Sequence, residues 1–253
     1  MLLARVMPCL LVSRGRLVKT VRFKNPRYIG DPVNAIKIFN EKEVDELVLL
    51  DIDAARAGSE PNFDLIARVT NECFMPLTYG GGIRNASQIG RILSLGVEKV
   101  VLNSLPRLDP VQVRDAATKH GCQCIVVSID ITRGLLGRPR LHHSGGMMSS
   151  RGDLVDYIRK VEDMGTGEIF VNDIDRDGTW EGFDIQLLRT ITMVATVPVI
   201  ACGGAGSIAD IGKAVIDGGA SAVAIGSMAV FQGKDLGVLI NFPPRAALQS
   251  TFA

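Results

Sequence analysis

Short runs of apolar and β-branched residues alternate with longer amphipathic stretches along most of the chain. Each run is followed by a spacer of helical length, an order typical of parallel strands joined by helices. The runs are apolar at nearly every position, as expected for strands that are covered on both faces. The eight runs that we interpret as strands are ARVMPCLLV, ELVLLDI, MPLTYG, KVVLNS, CIVVSID, EIFVND, VPVIACGG and AVAIGS.

The two halves of the chain repeat this pattern. With a short gap, the segment DELVLLDIDAARAGSEPNFDLI aligns with GEIFVNDIDRDGTWEGFDIQLL, and LLVSRG aligns with IDITRG. A half-chain repeat with four strands in each half predicts a (β/α)8 TIM barrel, an α/β fold with an internal half-barrel repeat. The predicted domain is a single barrel over residues 1–253, with half-repeats of about 1–120 and 121–253. Functional groups of this fold lie at the C-terminal ends of the strands.

Composition agrees with one large domain. The chain has 253 residues, of which 47% are hydrophobic and 22% are charged, and such a barrel needs roughly 250 residues to close. The formal net charge of +1 gives no general attraction to nucleic acid or to a membrane surface. No apolar run approaches the roughly 18 residues of a membrane span. We therefore expect a cytoplasmic protein without nucleic-acid or membrane partners.

The cysteines and histidines do not indicate a metal site. The five cysteines are an odd number without a C-x₂-C pair, which favours reduced, buried thiols. The three histidines, His120, His142 and His143, lack the neighbouring ligands of a zinc site. We predict no metal and no cofactor. The five cysteines are Cys9, Cys73, Cys122, Cys124 and Cys202.

Glycine-rich or polar turns follow four strands at matched places in the two halves. Glycines allow backbone N–H groups to approach a phosphate closely, although they also form ordinary tight turns. Two matched pairs of such turns predict two phosphate sites on opposite sides of the barrel mouth, and hence a ligand with a phosphate at each end. The residues predicted to bind phosphate are Gly81, Gly82, Asn103, Ser104, Gly203, Gly204, Gly226 and Ser227.

The first thirty residues contain seven basic residues and no acid. Most of the basic residues follow the first predicted strand, in a segment that ends at Gly30-Asp31-Pro32. We interpret this segment as a long basic loop. It either closes over a polyanionic ligand or is an ordinary solvated loop.

Carboxylates at the predicted strand ends are candidates for acid–base chemistry. Asp130 ends the fifth strand, and Asp173, Asp175 and Asp177 follow the sixth. A carboxylate at such a position either transfers protons or caps the next helix. The repeat places Leu11 opposite Asp130, so any mechanism that needs two opposed carboxylates is impaired.

The motifs resemble those of a known family. R-V-x-P-C-L, G-R-x-V-K, GDP, DELVLLDI, YGGGIR, VEKVVLNS, IDRDGT and ACGGAG occur in the order found in the cyclase subunit of imidazole glycerol phosphate synthase. The resemblance extends from Arg5 to about Ser227. Members of that family receive ammonia from a glutaminase subunit, which docks at the N-terminal face of the barrel, and pass it through the barrel to a bisphosphate substrate.

The resemblance implies roles for individual residues. It implies a gate of four charges at the N-terminal entrance and an active face at the opposite end. The family pairs an Asp at the position of Leu11 with the one at Asp130, so this chain departs from the pattern there; Asp51, Asp53 and Lys19 are candidate substitutes. The gate residues are Arg5, Glu46, Lys99 and Glu168, the catalytic residues are Lys19, Asp51, Asp130 and Asp177, and Ser144 contacts substrate.

Several functions fit these residues. The segment KNPRYIGDPVNAIKIFNEKEVDEL and Leu11 resemble a paralogous branch that is linked to acetamidino sugars of surface polysaccharides. In that branch a third, sugar-modifying amidotransferase receives the ammonia. The alternatives are the histidine-pathway cyclase, a non-catalytic conduit, and a related two-carboxylate sugar isomerase. The retained Asp130 and the phosphate motifs argue against the conduit, and the predicted gate argues against the isomerase.

Overall fold

The first and last strands of the parallel sheet pair with each other and close it into a barrel. Arg5 lies opposite Ala222 in this closing ladder. The predicted (β/α)8 barrel is therefore confirmed. The computed structural model describes residues 4–134, 137–142, 154–235 and 237–252.

Within the described residues the strands are β1 (Arg5–Ser13), β2 (Arg16–Val21), β3 (Lys24–Gly30), β4 (Leu47–Asp51), β5 (Leu77–Gly80), β6 (Lys99–Leu102), β7 (Ile125–Arg133), β8 (Pro139–His142), β9 (Glu168–Asp173), β10 (Val199–Cys202) and β11 (Ala222–Ile225). The barrel order is β1-β4-β5-β6-β7-β9-β10-β11, all parallel. The helices are α1 (Pro32–Glu41), α2 (Ala54–Ala57), α3 (Phe63–Thr70), α4 (Ala86–Ser94), α5 (Leu105–Leu108), α6 (Pro110–His120), α7 (Leu154–Asp163), α8 (Ile185–Thr192), α9 (Ile208–Ile216), α10 (Ser227–Val230) and α11 (Arg245–Thr251). A short 3₁₀ turn covers Cys122–Cys124.

Local sequence signals start the helices. Asp31 precedes Pro32, and its side chain accepts a hydrogen bond from the backbone N–H of Asn34 at 3.1 Å. Asp109 caps α6 in the same way ahead of Pro110. An acidic N-cap satisfies an otherwise unpaired N–H, and the fixed φ of proline suits the first helical position. These Asp-Pro pairs mark where two helices begin.

Apolar side chains fill two separate layers. A large outer core lies between the barrel and the helices and includes Ile36, Ile66 and Ile89. A smaller cluster fills the barrel interior and includes Met7 and Phe170. Because all barrel strands except β5 contribute to both layers, their residues are apolar almost continuously, which explains why the strands could be recognised from sequence.

Three further strands form antiparallel extensions at the C-terminal rim. β2 pairs with β1 and β3 pairs with β2, while β8 pairs with β7. The expectation of a long basic loop after the first strand was therefore wrong. Arg14 and Gly15 both have positive φ, as do Arg22 and Phe23, and such pairs form tight hairpin turns.

The cysteines only partly follow the expectation of burial. Cys9 and Cys202 are buried, Cys73 and Cys124 are partly buried, and Cys122 is exposed; all five are free thiols. Cys122 and Cys124 precede β7 in a short turn rather than lying inside the strand, which leaves the first of them at the surface. None of the helices in the described ranges is both long and apolar enough to cross a bilayer.

Candidate functional site at the barrel mouth

A cavity of about 160 Å³ opens at the C-terminal ends of the strands, which we call the mouth. Its wall is mostly apolar, with a few polar groups that come from different strands. Such a combination is typical of small-molecule sites. The lining residues that matter below are Leu11, Leu50, Asp51, Asn103, Ser128, Asp130 and Asn172.

Asp130 is the buried carboxylate of this cavity. It is 8% exposed, and the Ser128 hydroxyl lies 3.2 Å from Oδ1. Burial raises the pKa of Asp130 to about 6, although hydrogen bonds from Ser128, Asn103 and Asn172 oppose the rise. A carboxyl group with that pKa is available in both protonation states near neutral pH, as a general acid–base group requires.

Leu11 lies in the cavity wall as the repeat predicted, so no carboxylate faces Asp130 from β1. Asp51 and Asp53, which were proposed as substitutes, both accept hydrogen bonds from nearby groups. Asp51 Oδ1 accepts hydrogen bonds from the backbone N–H groups of Asp53 and Ala54, at 3.0 and 3.1 Å. Burial raises the pKa of Asp51. The Ser13 hydroxyl donates to Asp53 at 2.6 Å.

Lys19 and Asp177 form a buried ion pair at the mouth. Lys19 Nζ lies 2.7 Å from Asp177 Oδ1, and the Thr20 hydroxyl lies 3.2 Å from Oδ2. The Lys19 side chain also passes over Gly226, where a Cβ would lie 2.9 Å from its Cε. Lys19 therefore joins the β2–β3 hairpin to the loop after β9 and lies beside a predicted phosphate site.

The paired glycines have a packing role of their own. A Cβ at Gly81 would lie 2.3 Å from the carbonyl oxygen of Asp51, and a Cβ at Gly203 would lie 2.5 Å from that of Asp173. Both glycines have positive φ. Gly82 and Gly204 are similarly close to neighbouring atoms. The glycine pattern is thus required by the fold itself, and phosphate binding there stays a prediction.

The other predicted phosphate ligands lie at the starts of short helices. Ser104 precedes α5, and Ser227 is the first residue of α10, directly after Gly226. The Asn103 carboxamide donates to the carbonyl of Ser128 at 3.3 Å and also contacts Asp130. These residues therefore border the mouth at two strand ends. The substrate contact predicted for Ser144 lies outside the described residues, as does His143.

At the opposite end of the barrel, four charged residues form a closed ring, here called the entrance ring. Arg5 bridges Glu46 at 2.6 Å and Glu168 at 2.7 Å. Lys99 bridges the same two acids at 3.0 and 3.3 Å. The Thr78 hydroxyl donates to Glu46 at 2.6 Å. The four residues predicted as a gate lie together, while the gating role itself stays a prediction.

The barrel interior between ring and mouth is apolar. Along β1, alternate side chains run from Arg5 in the ring through Met7 and Cys9 to Leu11 at the mouth. This follows from the two-residue period of a strand. The other interior residues are Val48, Leu50, Val101, Val126, Phe170, Ile200, Cys202, Ala222 and Ala224.

Sequence reasoning missed three groups of this site. Ser128 and Asn172 contact Asp130, and Asn172 could have been noticed because it lies at a strand end, where its repeat partner is Leu50. Arg133 binds Asp173 at 2.7 Å and also contacts Asp175 and Asp184. This network fixes the loop that carries Asp177, and its distant partners gave no sequence signal.

The raised pKa of Asp130 predicts a pH-dependent stability effect. The folded state binds this proton more tightly than the unfolded state does, so the burial penalty is absent below about pH 4 and complete above about pH 6. Asp130→Asn removes the penalty. We expect the free energy of unfolding of the variant minus that of the wild type to be about 3 kcal/mol larger at pH 7.5 than at pH 3.5, because the penalty acts on the wild type only at the higher pH. Urea unfolding at both pH values measures it; an equal difference at the two pH values contradicts the assignment.

Comparison with known proteins agrees with this geometry. The family model described as histidine biosynthesis protein matches residues 5–235. A provisionally named imidazole glycerol phosphate synthase subunit hisF2 of Pseudomonas aeruginosa is 51% identical over 94% of this chain and 95% of its own length. A provisionally named subunit HisF of Leptospira interrogans is 45% identical over the full length of both chains. The imidazole glycerol phosphate synthase subunit HisF of Alkaliphilus metalliredigens is 38% identical over 90% of each. The chain therefore belongs to the histidine biosynthesis protein family, and its relatives are named as HisF subunits of imidazole glycerol phosphate synthase.

Proposed function

We propose that this chain is the ammonia-using subunit of a glutamine-dependent amidotransferase of the imidazole glycerol phosphate synthase type. A glutaminase docks at the entrance ring and forms a heterodimer with this chain. Ammonia then passes through the barrel to a phosphate-bearing ligand at the mouth. The observation that carries the proposal is the apolar interior between a closed ring of charges and a cavity with a buried carboxylate. The relatives' names, which describe subunits, support the need for a partner.

The chemistry of ammonia suits this route. Neutral ammonia is small, and its transfer from water into an apolar passage costs far less free energy than the transfer of charged ammonium without a counter-charge. The entrance ring must open for a molecule to pass. Lys99 is its most easily moved member, because its contacts are longer than those of Arg5 and its stem is flexible.

Leu11 is the residue on which our choice of biosynthetic pathway rests. With one carboxylate of the family pair absent, we infer the branch that supplies acetamidino-sugar synthesis, where a third, sugar-modifying amidotransferase takes up the ammonia. The histidine-pathway cyclase is the second candidate, since Lys19, Asp51, Asp130 and Asp177 are all retained at the mouth. We infer a cytoplasmic location for either pathway.

Phosphate binding at the mouth is tested by crystals soaked in phosphate. We expect density beside Gly82 and Asn103 and beside Gly204 and Gly226. In solution, Lys19→Gln should weaken phosphate binding several-fold in calorimetry, because Lys19 passes over Gly226. Lys24→Gln, at the exposed hairpin turn, is the matched control. Empty density at both places under saturating phosphate would rule out the two phosphate sites.

The gate is tested by Lys99→Glu. This change replaces the cation that bridges Glu46 and Glu168 with a third acid, so the ring cannot close as before. We expect glutamine hydrolysis to continue while its coupling to product formation falls severalfold, with ammonia-dependent activity retained. Lys213→Glu, on the exposed face of α9, is the control. Unchanged coupling in a complex that still assembles means that Lys99 is no gate.

Leu11 is tested by turnover of the histidine-pathway bisphosphate with added ammonia. Loss of one positioned acid–base group typically costs about 10²–10⁴ in rate. We expect poor turnover by the wild type and a gain in Leu11→Asp, since this side chain faces the cavity that holds Asp130. Thermal unfolding of the variant controls for the cost of burying a new carboxylate. Rapid turnover by the wild type would return the chain to histidine biosynthesis.

A further inference from the structure

His142 lies directly opposite Asp130 in the antiparallel β7–β8 ladder. Directly opposite residues of such a ladder project to the same face of the sheet, with Cβ atoms about 4.5–5.5 Å apart. The next pair, Ile131 and Leu141, packs in the outer core between barrel and helices. Because successive residues of a strand alternate between faces, Asp130 and His142 both face the mouth.

Strand pairing also fixes the side of Asp130 on which His142 lies. The β6 ladder with β7 extends only to Leu102 and Val127, whereas β9 accompanies β7 through Asp130 and Ile131. β8 must therefore occupy the β7 edge above the end of β6. This places His142 on the side of the mouth where Asn103 follows β6, beside a predicted phosphate site.

The first half of the barrel has an equivalent pair with different chemistry. β2 places Val18 opposite Leu11, and the next pair, Val12 and Leu17, packs in the outer core. The two hairpins thus have the same arrangement relative to the mouth. One presents two aliphatic side chains there, and the other presents a carboxyl group and an imidazole.

We propose that His142 is a second proton-transfer residue of the mouth and acts together with Asp130. This inference rests on the proposed use of ammonia. An imidazole suits the role because it exchanges protons near neutral pH and offers both a donor and an acceptor nitrogen. A carboxyl group and an imidazole side by side can pass one proton between them.

The step that we assign to the pair is the addition of ammonia to a carbonyl carbon of the phosphate-bearing ligand. The nitrogen lone pair forms the C–N bond, and the carbonyl π electrons move to oxygen. Protonated Asp130 gives its proton to that oxygen, and neutral His142 takes one proton from the new ammonium nitrogen. The proton then returns from His142 to Asp130, so the product is a carbinolamine and both side chains are restored.

The juxtaposition is tested by NMR of the full chain labelled with ¹⁵N-histidine, with the His142 ring signals assigned from their loss in His142→Gln. At one fixed pH we expect these signals to shift in Asp130→Asn and to stay in place in Asp51→Asn, which removes another carboxylate of the same cavity. Signals that do not move in Asp130→Asn, or that move equally in both variants, overturn the pairing. This outcome is independent of whether ammonia is the substrate.

The chemical role is tested by mass spectrometry of ¹⁵N incorporated from ammonium into the histidine-pathway bisphosphate, a readout that detects slow turnover. We expect His142→Gln to lower incorporation about 100-fold and His120→Gln, remote at the end of α6, to leave it unchanged. Thermal unfolding checks that both variants fold. Wild-type incorporation in His142→Gln overturns the role of His142 alone. No incorporation by the wild type overturns the addition step at the mouth and leaves only delivery of ammonia to the third amidotransferase.

Discussion

Closure of the parallel sheet is the constraint on which the rest of the molecule depends. Once β1 pairs with β11, all eight barrel strands end at one rim and begin at the other. Side chains of alternating residues then meet inside at fixed depths, whatever their separation in sequence. Arg5 and Glu168, 163 residues apart, come within 2.7 Å for this reason. The same closure brings Asp130 on β7 and Lys19 beyond β1 to one mouth.

The repeat preserves backbone contacts more strictly than side-chain chemistry. Gly81 and Gly203 make the same close approach to a carbonyl at the preceding strand end, and this contact tolerates no side chain. Leu11 and Asp130 occupy equivalent places yet share no chemistry. The two glycines are therefore alike in both halves because of this contact, whereas the side chains of Leu11 and Asp130 at the mouth differ.

The sequence predicted those parts of the structure that leave a local pattern along the chain. The barrel strands were recognisable because burial on both faces leaves continuous apolar runs. The four residues of the entrance ring were identified through the family resemblance. β2 and β3 were missed because basic residues interrupt the apolar positions of β2 and because nearly all of β3 is exposed. The turn at Arg14 and Gly15 was a local indication.

The location of the candidate site was predictable from the sequence, but the contacts among its residues were not. Asp130 was identified as a carboxylate at a strand end, whereas its contact with Asn172 depends on how β7 and β9 register. The hydrogen bonds of Asp51 with the backbone N–H groups of Asp53 and Ala54 are local. The ion pairs of Arg133 with three acids instead arise from loops that come together only after closure. Interactions of this kind leave no periodic pattern in one sequence.

The divergence of the two hairpins has a consequence for any attempt to rebuild the protein from its halves. Two copies of residues 121–253, fused in tandem, encode the Asp130–His142 pair twice, facing each other across the axis. Two copies of residues 1–120 encode only the aliphatic Leu11–Val18 pair and leave a mouth without that chemistry. The two halves thus share the same backbone arrangement but differ in the reactive side chains that they place at the mouth. Only the second half contains the Asp130–His142 pair that a symmetric catalyst would need.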